Sequence, residues 1–204
     1  MDVESDLNQR QIGKLKTRQD LLDAALELFA EQGFANTHAS AIAERAGVAV
    51  GTIYLHFGSK DGLLHEILVW IANELHARVQ EVYAHPPAQP EALARAHVEA
   101  IVQYVEENSR YASFVLGYAL SRHPVGVRIL DLMIGQVEED IREGQAAGIY
   151  RTDVAPHLAA RAEGGMNLGL LSWWAENPTL ATREEIVDTL AKIRLSGLHA
   201  APEK

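Results

Sequence analysis

The chain has 204 residues, which is enough to bury a core and suits one large domain or two small ones. It contains no cysteine, which excludes disulfides, thiolate metal sites and cysteine nucleophiles. Its formal net charge of −10 argues against nonspecific coating of nucleic acid, although residues 7–60 carry six Lys and Arg against five Asp and Glu.

The first residues are acidic and polar and lack the apolar core of a signal peptide. The strongest apolar stretch, Asn167 to Ala175, is too short to cross a bilayer. These features predict a soluble, cytoplasmic protein without a membrane partner. Residues 1–16 show no apolar periodicity and are predicted to form a flexible arm. Positive charges cluster upstream of the first predicted helix, at Arg10, Lys14, Lys16 and Arg18.

Apolar residues recur at intervals of three and four along almost the whole chain, which predicts an all-α protein. The first helix is expected to begin with Thr17 as its N-cap and to end at Gly33. Two short helices follow between Ala39 and Phe57, and Ser59 is placed to cap a helix that runs to about Tyr83. Beyond a proline-rich break, helices are predicted over 91–107, 110–122, 125–147, 155–176 and 182–198.

The segment from Ala39 to Phe57 has the residue types that a helix-turn-helix needs, at the required spacing. Two short helices that cross closely need a small inward residue, which Ala43 supplies, and their turn needs a positive φ, which Gly47 permits. The other core positions are apolar: Ile42, Val48 and Ile53. A tight helical corner without function would share some of these features, but their combination favours a helix-turn-helix.

The outer edge of the second short helix is the expected contact with DNA. Small or polar residues there allow a helix to enter the major groove. The available residues are Ala49, Val50, Gly51, Thr52 and Leu55. Gly51 permits close approach of the backbone, and Thr52 can bond a phosphate or a base edge. Tyr54, His56 and Lys60 can reach phosphates and fix the helix in register.

Residues Thr17 to Leu68 resemble the DNA-binding domain of TetR/AcrR-family transcriptional regulators. The resemblance is carried by Ala24-Ala25-Leu26-Glu27-Leu28-Phe29, Gly33-Phe34, Thr37, Ile42-Ala43, Ala46-Gly47-Val48, Gly51-Thr52-Ile53-Tyr54, His56-Phe57 and Ser59-Lys60-Asp61. It implies a three-helix DNA-binding domain at 1–62, with the helix-turn-helix at 39–57. It also implies a larger helical domain at 63–204 that binds a small-molecule effector and forms a homodimer. By resemblance, the residues that contact a double-stranded DNA operator are Thr37, Thr52, Tyr54, His56 and Lys60.

Two positions depart from the family pattern. The family often has Ser-Lys before Gly-Thr, whereas this chain has Ala49-Val50, which removes a helix cap and a positive charge at the groove. His38 replaces a polar residue that is common beside Thr37. The preferred operator therefore cannot be taken from relatives, and our hypothesis is that Ala49 and Val50 contact a thymine methyl group.

The remainder of the chain suggests two further sites from helical spacing. Candidates to line an effector pocket between helices are Trp70, Tyr104, Phe114, Tyr118, Met133, Met166, Asn167 and Trp173. The stripes expected to pair in the homodimer are formed by Leu168, Leu171, Trp174, Ile186, Leu190 and Ile193. The same spacings are typical of the core of a single chain, so each residue also has a purely structural interpretation.

These features favour a ligand-responsive repressor that a small-molecule effector releases from its operator. An enzyme built on a helical bundle is an alternative, but the chain has no G-x-S-x-G, Walker A or G-x-G-x-x-G motif. Its nine histidines form neither H-E-x-x-H nor E-x-x-H, so we predict no metal site and no cofactor. A third possibility is an interaction module whose helix-turn-helix has lost DNA binding, which weak salt dependence of duplex affinity would reveal.

Overall fold

The protein is described by a computed structural model that covers residues 3–198, with side chains from residue 11 onward; residues 1–2 and 199–204 lie outside it. Within that range the chain forms nine α-helices and no extended strand, which confirms the all-α class. The helices are α1 (Val3–Gln32), α2 (Ala39–Arg45), α3 (Val50–Phe57), α4 (Lys60–Ala84), α5 (Pro90–Glu107), α6 (Ser109–Ala119), α7 (Pro124–Ala146), α8 (Pro156–Glu176) and α9 (Arg183–Leu198). None of these helices is long and apolar enough to cross a membrane.

The chain divides into two compact units, Met1–Trp70 and Ile71–Lys204. The division falls within α4, after Trp70, whereas we expected a boundary after residue 62. The early turns of α4 belong to the first unit and carry four fully or almost fully buried side chains: Leu63, Leu64, Ile67 and Leu68. The first unit therefore uses part of α4 to complete its core.

Helix α1 begins at Val3 and not after Thr17, so the prediction of a flexible arm is wrong for residues 3–16. Residues 1–2 and the side chain of Arg10 lie outside the described parts of the chain. The side chains of residues 11–16 are all exposed. Glutamine, leucine and lysine have high helix propensities and no proline interrupts this segment, so a helix forms without a buried face. Apolar periodicity did not detect this helix because periodicity reports burial.

The C-terminal half of α1 supplies the apolar face that the sequence predicts. Leu21, Ala25 and Phe29 are fully buried along one side of the helix. Gly33 ends the helix with a φ of 81°, and its N–H donates to the carbonyl of Phe29 at 2.9 Å. The predicted end of the first helix is therefore confirmed.

The described residues of the second unit, 71–198, include two apolar clusters. The larger cluster is formed by α5, α6, α8 and α9 and includes Val102, Leu171 and Leu190. The smaller one contains Ile141 of α7 and Tyr150, which follows that helix. The two clusters bury the inward faces of these helices.

Helices α5 to α9 agree closely with the predicted ranges, except that α6 ends at Ala119 and not at residue 122. Pro156 occupies the first turn of α8, where its missing N–H has no helical partner to lose. Thr182 and Glu185 form a reciprocal cap at the start of α9. The Thr182 N–H donates to Glu185 Oε2 at 2.8 Å, and the Glu185 N–H donates to Thr182 Oγ1 at 3.2 Å.

Candidate DNA-binding and effector-binding sites

Helices α2 and α3 form a helix-turn-helix. The turn depends on Gly47, whose φ of 68° lies in the left-handed region, while no atom lies within 4 Å of the position of an added Cβ. Backbone conformation, and not lack of space, therefore requires glycine here. The Val48 N–H donates to the Ala43 carbonyl at 2.9 Å and closes the end of α2. Ile42 and Ile53 are fully buried, as predicted for the residues that join the two helices.

The outer edge of α3 is open to solvent. Its exposed or partly exposed positions, with the residue before the helix, are Ala49, Val50, Gly51, Thr52, Tyr54, Leu55 and His56. Large side chains are among them, since Val50 is 39%, Tyr54 53% and Leu55 82% exposed. No atom lies within 4 Å of the Cβ position of Gly51. The edge that the sequence predicts to meet DNA is therefore free within the described part of the first unit.

The start of α3 lacks a side-chain cap. Ala49 is the N-cap residue and makes no side-chain hydrogen bond, and its carbonyl accepts from the Thr52 N–H at 2.9 Å. This confirms the prediction that Ala49-Val50 leaves the helix without a side-chain cap. An uncapped first turn leaves backbone N–H groups that a DNA phosphate can satisfy.

Two residues predicted to contact DNA have partners inside the protein. Thr37 is fully buried, and its hydroxyl donates to the Gly33 carbonyl at 2.8 Å. It secures the turn after α1 and does not reach solvent, so its assignment to the DNA contact is wrong for this conformation. Lys60 Nζ donates to the carbonyls of Phe34 and Thr37 at 2.8 and 2.9 Å. A hydroxyl or an ammonium group can donate to a carbonyl of the protein or to a DNA phosphate. The sequence pattern does not distinguish a contact within the protein from a contact with DNA.

The positive charges of α1 differ in their surroundings. Lys14 and Lys16 are exposed on α1. Arg18 pairs with Glu66 at 2.5 Å, and its guanidinium lies 5.2 Å from the ring centre of Phe57, the last residue of α3. Arg18 therefore supports the packing of the helix-turn-helix, while the two lysines remain exposed cations.

The second unit contains a cavity of about 100 Å³ between α4, α5, α6, α7 and α8. Its apolar lining consists of Ala72, Leu75, Val79, Ile101, Val105, Leu116, Leu130, Met133, Ile134, Val137, Gly164, Leu168 and Leu171. Its polar lining consists of His76, His97, Gln136, Asp140, Glu163 and Asn167. A mostly apolar cavity with a few converging polar groups is typical of small-molecule sites.

Met133 and Asn167 are the predicted pocket residues that line this cavity. Six others lie elsewhere: Trp70, Tyr104, Phe114, Tyr118, Met166 and Trp173. Tyr104 is buried and its hydroxyl donates to Glu74 at 3.3 Å, while the two tryptophans are each 41% exposed. Phe114 and Tyr118 pack on each other, with ring centres 5.5 Å apart. The spacing of aromatic residues along a helix does not reveal which space they face, and these six residues do not line this cavity.

A buried polar cluster, formed by Tyr83, His97, Tyr150, Glu163 and Arg194, lies beside the cavity and was not predicted. Glu163 and Arg194 form an ion pair in which both residues are buried. The Arg194 guanidinium also donates to the hydroxyls of Tyr83 and Tyr150, at 2.9 and 2.7 Å. His97 Nδ1 lies 3.0 Å from the Tyr83 hydroxyl, and its Nε2 lies 3.3 Å from Glu163 Oε1.

Burial raises the pKa of the Tyr83 hydroxyl, and the positive charge of Arg194 offsets this only in part. Tyr83 is therefore a neutral hydrogen-bonding group at physiological pH. The sequence did contain a signal for the cluster. Arg194 interrupts an apolar stripe of α9 midway between Leu190 and Leu198, both of which are buried. A charge at a core position of a helix indicates a buried partner.

The predicted dimer residues are mostly core residues of the single chain. Five of them are buried in the larger apolar cluster: Leu168, Leu171, Trp174, Ile186 and Leu190. The Trp174 indole N–H also donates within the unit, to the Ala181 carbonyl at 2.9 Å. These five are not available to a second chain, so their assignment was wrong, whereas Ile193 is exposed. An apolar stripe at helical spacing looks the same whether its own chain or a partner covers it.

A different face of α8 and α9 is exposed. On α8, small and large apolar residues recur at intervals of three and four, and on α9 two residues complete the surface. We call this the α8–α9 face: Leu158, Ala162, Gly165, Gly169, Trp173, Ile193 and Gly197. No atom lies within 4 Å of the Cβ position of any of its three glycines. The face is therefore open as well as apolar.

Comparison with known proteins agrees with the architecture. Residues 21–67 match the bacterial regulatory proteins of the tetR family. The fatty acid metabolism regulator protein of Bacillus subtilis (strain 168) is 36% identical over 190 residues, which cover 88% of this chain and 94% of that protein. The chain belongs to the TetR family. This TetR-family chain is also 28% identical to the HTH-type transcriptional repressor KstR2 of Rhodococcus jostii (strain RHA1) over 200 residues, 90% of each protein.

The likeness to TetR-family structures extends over both units. The crystal structure of the transcriptional regulator FadR from Bacillus subtilis in complex with stearoyl-CoA aligns with a TM-score of 0.70 at 21% identity. The alignment covers 89% of this chain and 99% of that one. The TetR-family chain is thus a DNA-binding transcriptional regulator with an N-terminal helix-turn-helix and a helical second unit.

Proposed function

We propose that this regulator is a repressor that leaves its operator when a small molecule occupies the cavity of the second unit. The observation that carries the proposal is that α4, which starts directly after the helix-turn-helix, also supplies Leu75, His76 and Val79 to the cavity lining. A ligand that displaces these residues shifts the equilibrium between two positions of α4. The repressor named KstR2 supports this direction of regulation.

The DNA contact is assigned to the exposed edge of α3. Ala49 and Val50 form an apolar surface suited to a thymine methyl group, and Gly51 allows the backbone to approach the bases. Thr52 is placed for a base edge or a phosphate, and Tyr54 for a phosphate. His56 and Lys60 add polar groups beside this edge, and Lys60 does so while it bonds two carbonyls of its own unit.

A homodimer is assigned to the α8–α9 face. The small residues of this face allow two helices to approach closely, and Leu158 and Trp173 supply apolar area. A dimer places two reading helices at successive major grooves, about 34–36 Å apart. Changing Ile193 to lysine is expected to yield a folded monomer in sedimentation, because Ile193 is 50% exposed in the single chain. Val127→Lys, at a 45% exposed position of α7, is the matched control and should remain dimeric.

An acyl thioester is a second candidate effector, because a structural relative was solved with stearoyl-CoA. The cavity of about 100 Å³ is smaller than the roughly 150 Å³ apolar cavity that holds one benzene molecule. A long acyl chain therefore requires α4, α7 and α8 to separate, whereas a compact ligand does not.

Operator binding tests the proposed function directly. The full-length protein would select duplexes from a random pool, and fluorescence anisotropy would measure the affinity of the selected duplex at two salt concentrations. We expect a near-palindromic duplex whose affinity falls steeply with salt, with a slope of about 0.9 for each phosphate neutralised. A folded dimer that selects no duplex would instead favour the interaction module.

A further inference from the structure

We propose that the buried part of the effector carries a hydroxyl group, which Glu163 and Asn167 recognise at the polar side of the cavity. This inference rests on the proposed role of the cavity as the effector site. It adds the chemical class of the ligand: a compact apolar body with one neutral hydrogen-bond donor.

The first observation is an unpaired carboxylate oxygen in a buried position. Glu163 is 6% exposed and lines the cavity. Its Oε1 is engaged by Arg194 and His97. Its Oε2 is buried and accepts no hydrogen bond from the described residues. A buried acceptor without a donor is unfavourable, so a ligand that supplies the donor gains affinity.

The second observation is an amide on the same face of the same helix. Asn167 follows Glu163 by one helical turn and also lines the cavity. Its Oδ1 is buried and, like Glu163 Oε2, has no donor among the described side chains and backbone groups. The two unpaired acceptors therefore lie on adjacent turns of α8 and border one space.

The surrounding charges select among possible ligand groups. A carboxylate ligand would place a second negative charge beside Glu163, and Asp140 also lines the cavity. An ammonium group at Glu163 would stand beside the Arg194 guanidinium, which already pairs with that carboxylate. A hydroxyl carries no charge and donates to Glu163 Oε2. Its oxygen accepts from Asn167 when that amide is rotated so that Nδ2 faces the cavity, whereas in the other orientation the single hydroxyl hydrogen serves Glu163 Oε2 alone.

The size of the cavity limits the apolar body. About 100 Å³ is less than the roughly 150 Å³ that holds one benzene molecule, so the cavity admits a short chain in this conformation. The hydroxyl can belong to a free alcohol or to the hydroxylated chain of a thioester, and both present the same chemistry to Glu163. The test therefore uses six-carbon probes in two matched pairs.

Isothermal titration calorimetry of the full-length protein would compare 1-hexanol with its isomer methyl pentyl ether, which lacks only the O–H donor. The second pair is 6-hydroxyhexanoyl-CoA and hexanoyl-CoA, which repeats the contrast on a thioester. We expect the hydroxyl member of at least one pair to bind on the order of tenfold more tightly. The pair that shows the preference identifies the source of the hydroxyl.

Asn167→Leu tests the assigned residue, because it keeps a similar shape and removes the amide, whose Oδ1 has no donor among the described groups. Binding of the hydroxyl probe should weaken in this variant because the hydroxyl oxygen loses its amide donor, while the preference for the hydroxyl, which Glu163 Oε2 sets, should remain. Met133→Leu, which changes the apolar lining only, should keep the affinity of the hydroxyl probe. A Glu163 variant is not used as the main test because it would leave Arg194 buried without its counter-charge.

Equal affinities within both pairs, or no binding of any probe, would overturn the inference. So would an affinity for the hydroxyl probe that survives Asn167→Leu unchanged. Release of operator DNA by the bound probe is measured separately by anisotropy. A hydroxyl probe that binds selectively but leaves DNA affinity unchanged would contradict the proposed function and not the recognition of the hydroxyl.

Discussion

Replacing Gly51 with alanine separates DNA affinity from the stability of the fold. Gly51 lies in α3, and no atom lies within 4 Å of the Cβ that alanine adds. The substitution therefore introduces no clash within the protein. Alanine is favoured over glycine in a helix by about 0.5–1 kcal/mol. We expect Gly51→Ala to raise the free energy of unfolding by up to about 1 kcal/mol.

DNA affinity is expected to change in the opposite direction. The added methyl group stands on the exposed edge of α3, where we place the closest approach of the backbone to the bases. If it prevents that approach, the loss should be similar to that of one base contact, about 1–3 kcal/mol. This corresponds to roughly ten- to hundredfold weaker binding to the selected operator.

Gly117→Ala is the matched control. Gly117 is an exposed glycine of α6 that also has no atom within 4 Å of its Cβ position. Urea denaturation should show a similar gain in stability for both variants, and fluorescence anisotropy should show weaker operator binding for Gly51→Ala alone. Unchanged operator affinity in Gly51→Ala would refute the close approach of α3 at this residue.

Three further predictions concern charge. Lys14→Gln should lower the salt slope of operator binding by about 0.9 if the exposed lysine meets a phosphate, and an unchanged slope would exclude that contact. Arg194→Met leaves Glu163 buried without its cation and should lower the free energy of unfolding, measured by urea denaturation, by about 3–5 kcal/mol. The control Arg142→Met breaks a surface pair with Glu138 and should lower it by at most about 1 kcal/mol. Burial, and then Glu74, raise the pKa of Tyr104. The folded state therefore loses stability as pH rises above about 10, the pKa of tyrosine in the unfolded chain, by at most about 1.4 kcal/mol per pH unit for this group. Tyr104→Phe should remove this contribution, which denaturation curves at pH 9 and 11 would measure.

Features that depend on neighbouring residues in the sequence were predicted correctly. Gly47 marks the turn of the helix-turn-helix because its backbone needs a positive φ. Ser59 accepts the Gly62 N–H at 2.9 Å near the start of α4, as an N-cap should. Such signals act over one or two helical turns, and they suffice to determine the class of the fold and most helix ends.

Exposed helices were harder to detect from the sequence. Residues 3–16 form part of α1 although the side chains of 11–16 are all exposed, because helix propensity acts without burial. Apolar periodicity in a sequence reports only the helix faces that become buried. The absence of periodicity therefore did not exclude a helix.

By itself, the sequence determined that the chain is helical and where most helices end. It also determined that α2 and α3 form a helix-turn-helix with an uncapped reading helix. Only the tertiary structure decided that Leu171 and Leu190 belong to the core, that Ile193 is exposed, and that Glu163 meets Arg194 beside a cavity. These outcomes depend on packing between helices that are distant in sequence. The helical repeat gives each residue a face, but only the neighbouring helices decide what covers it.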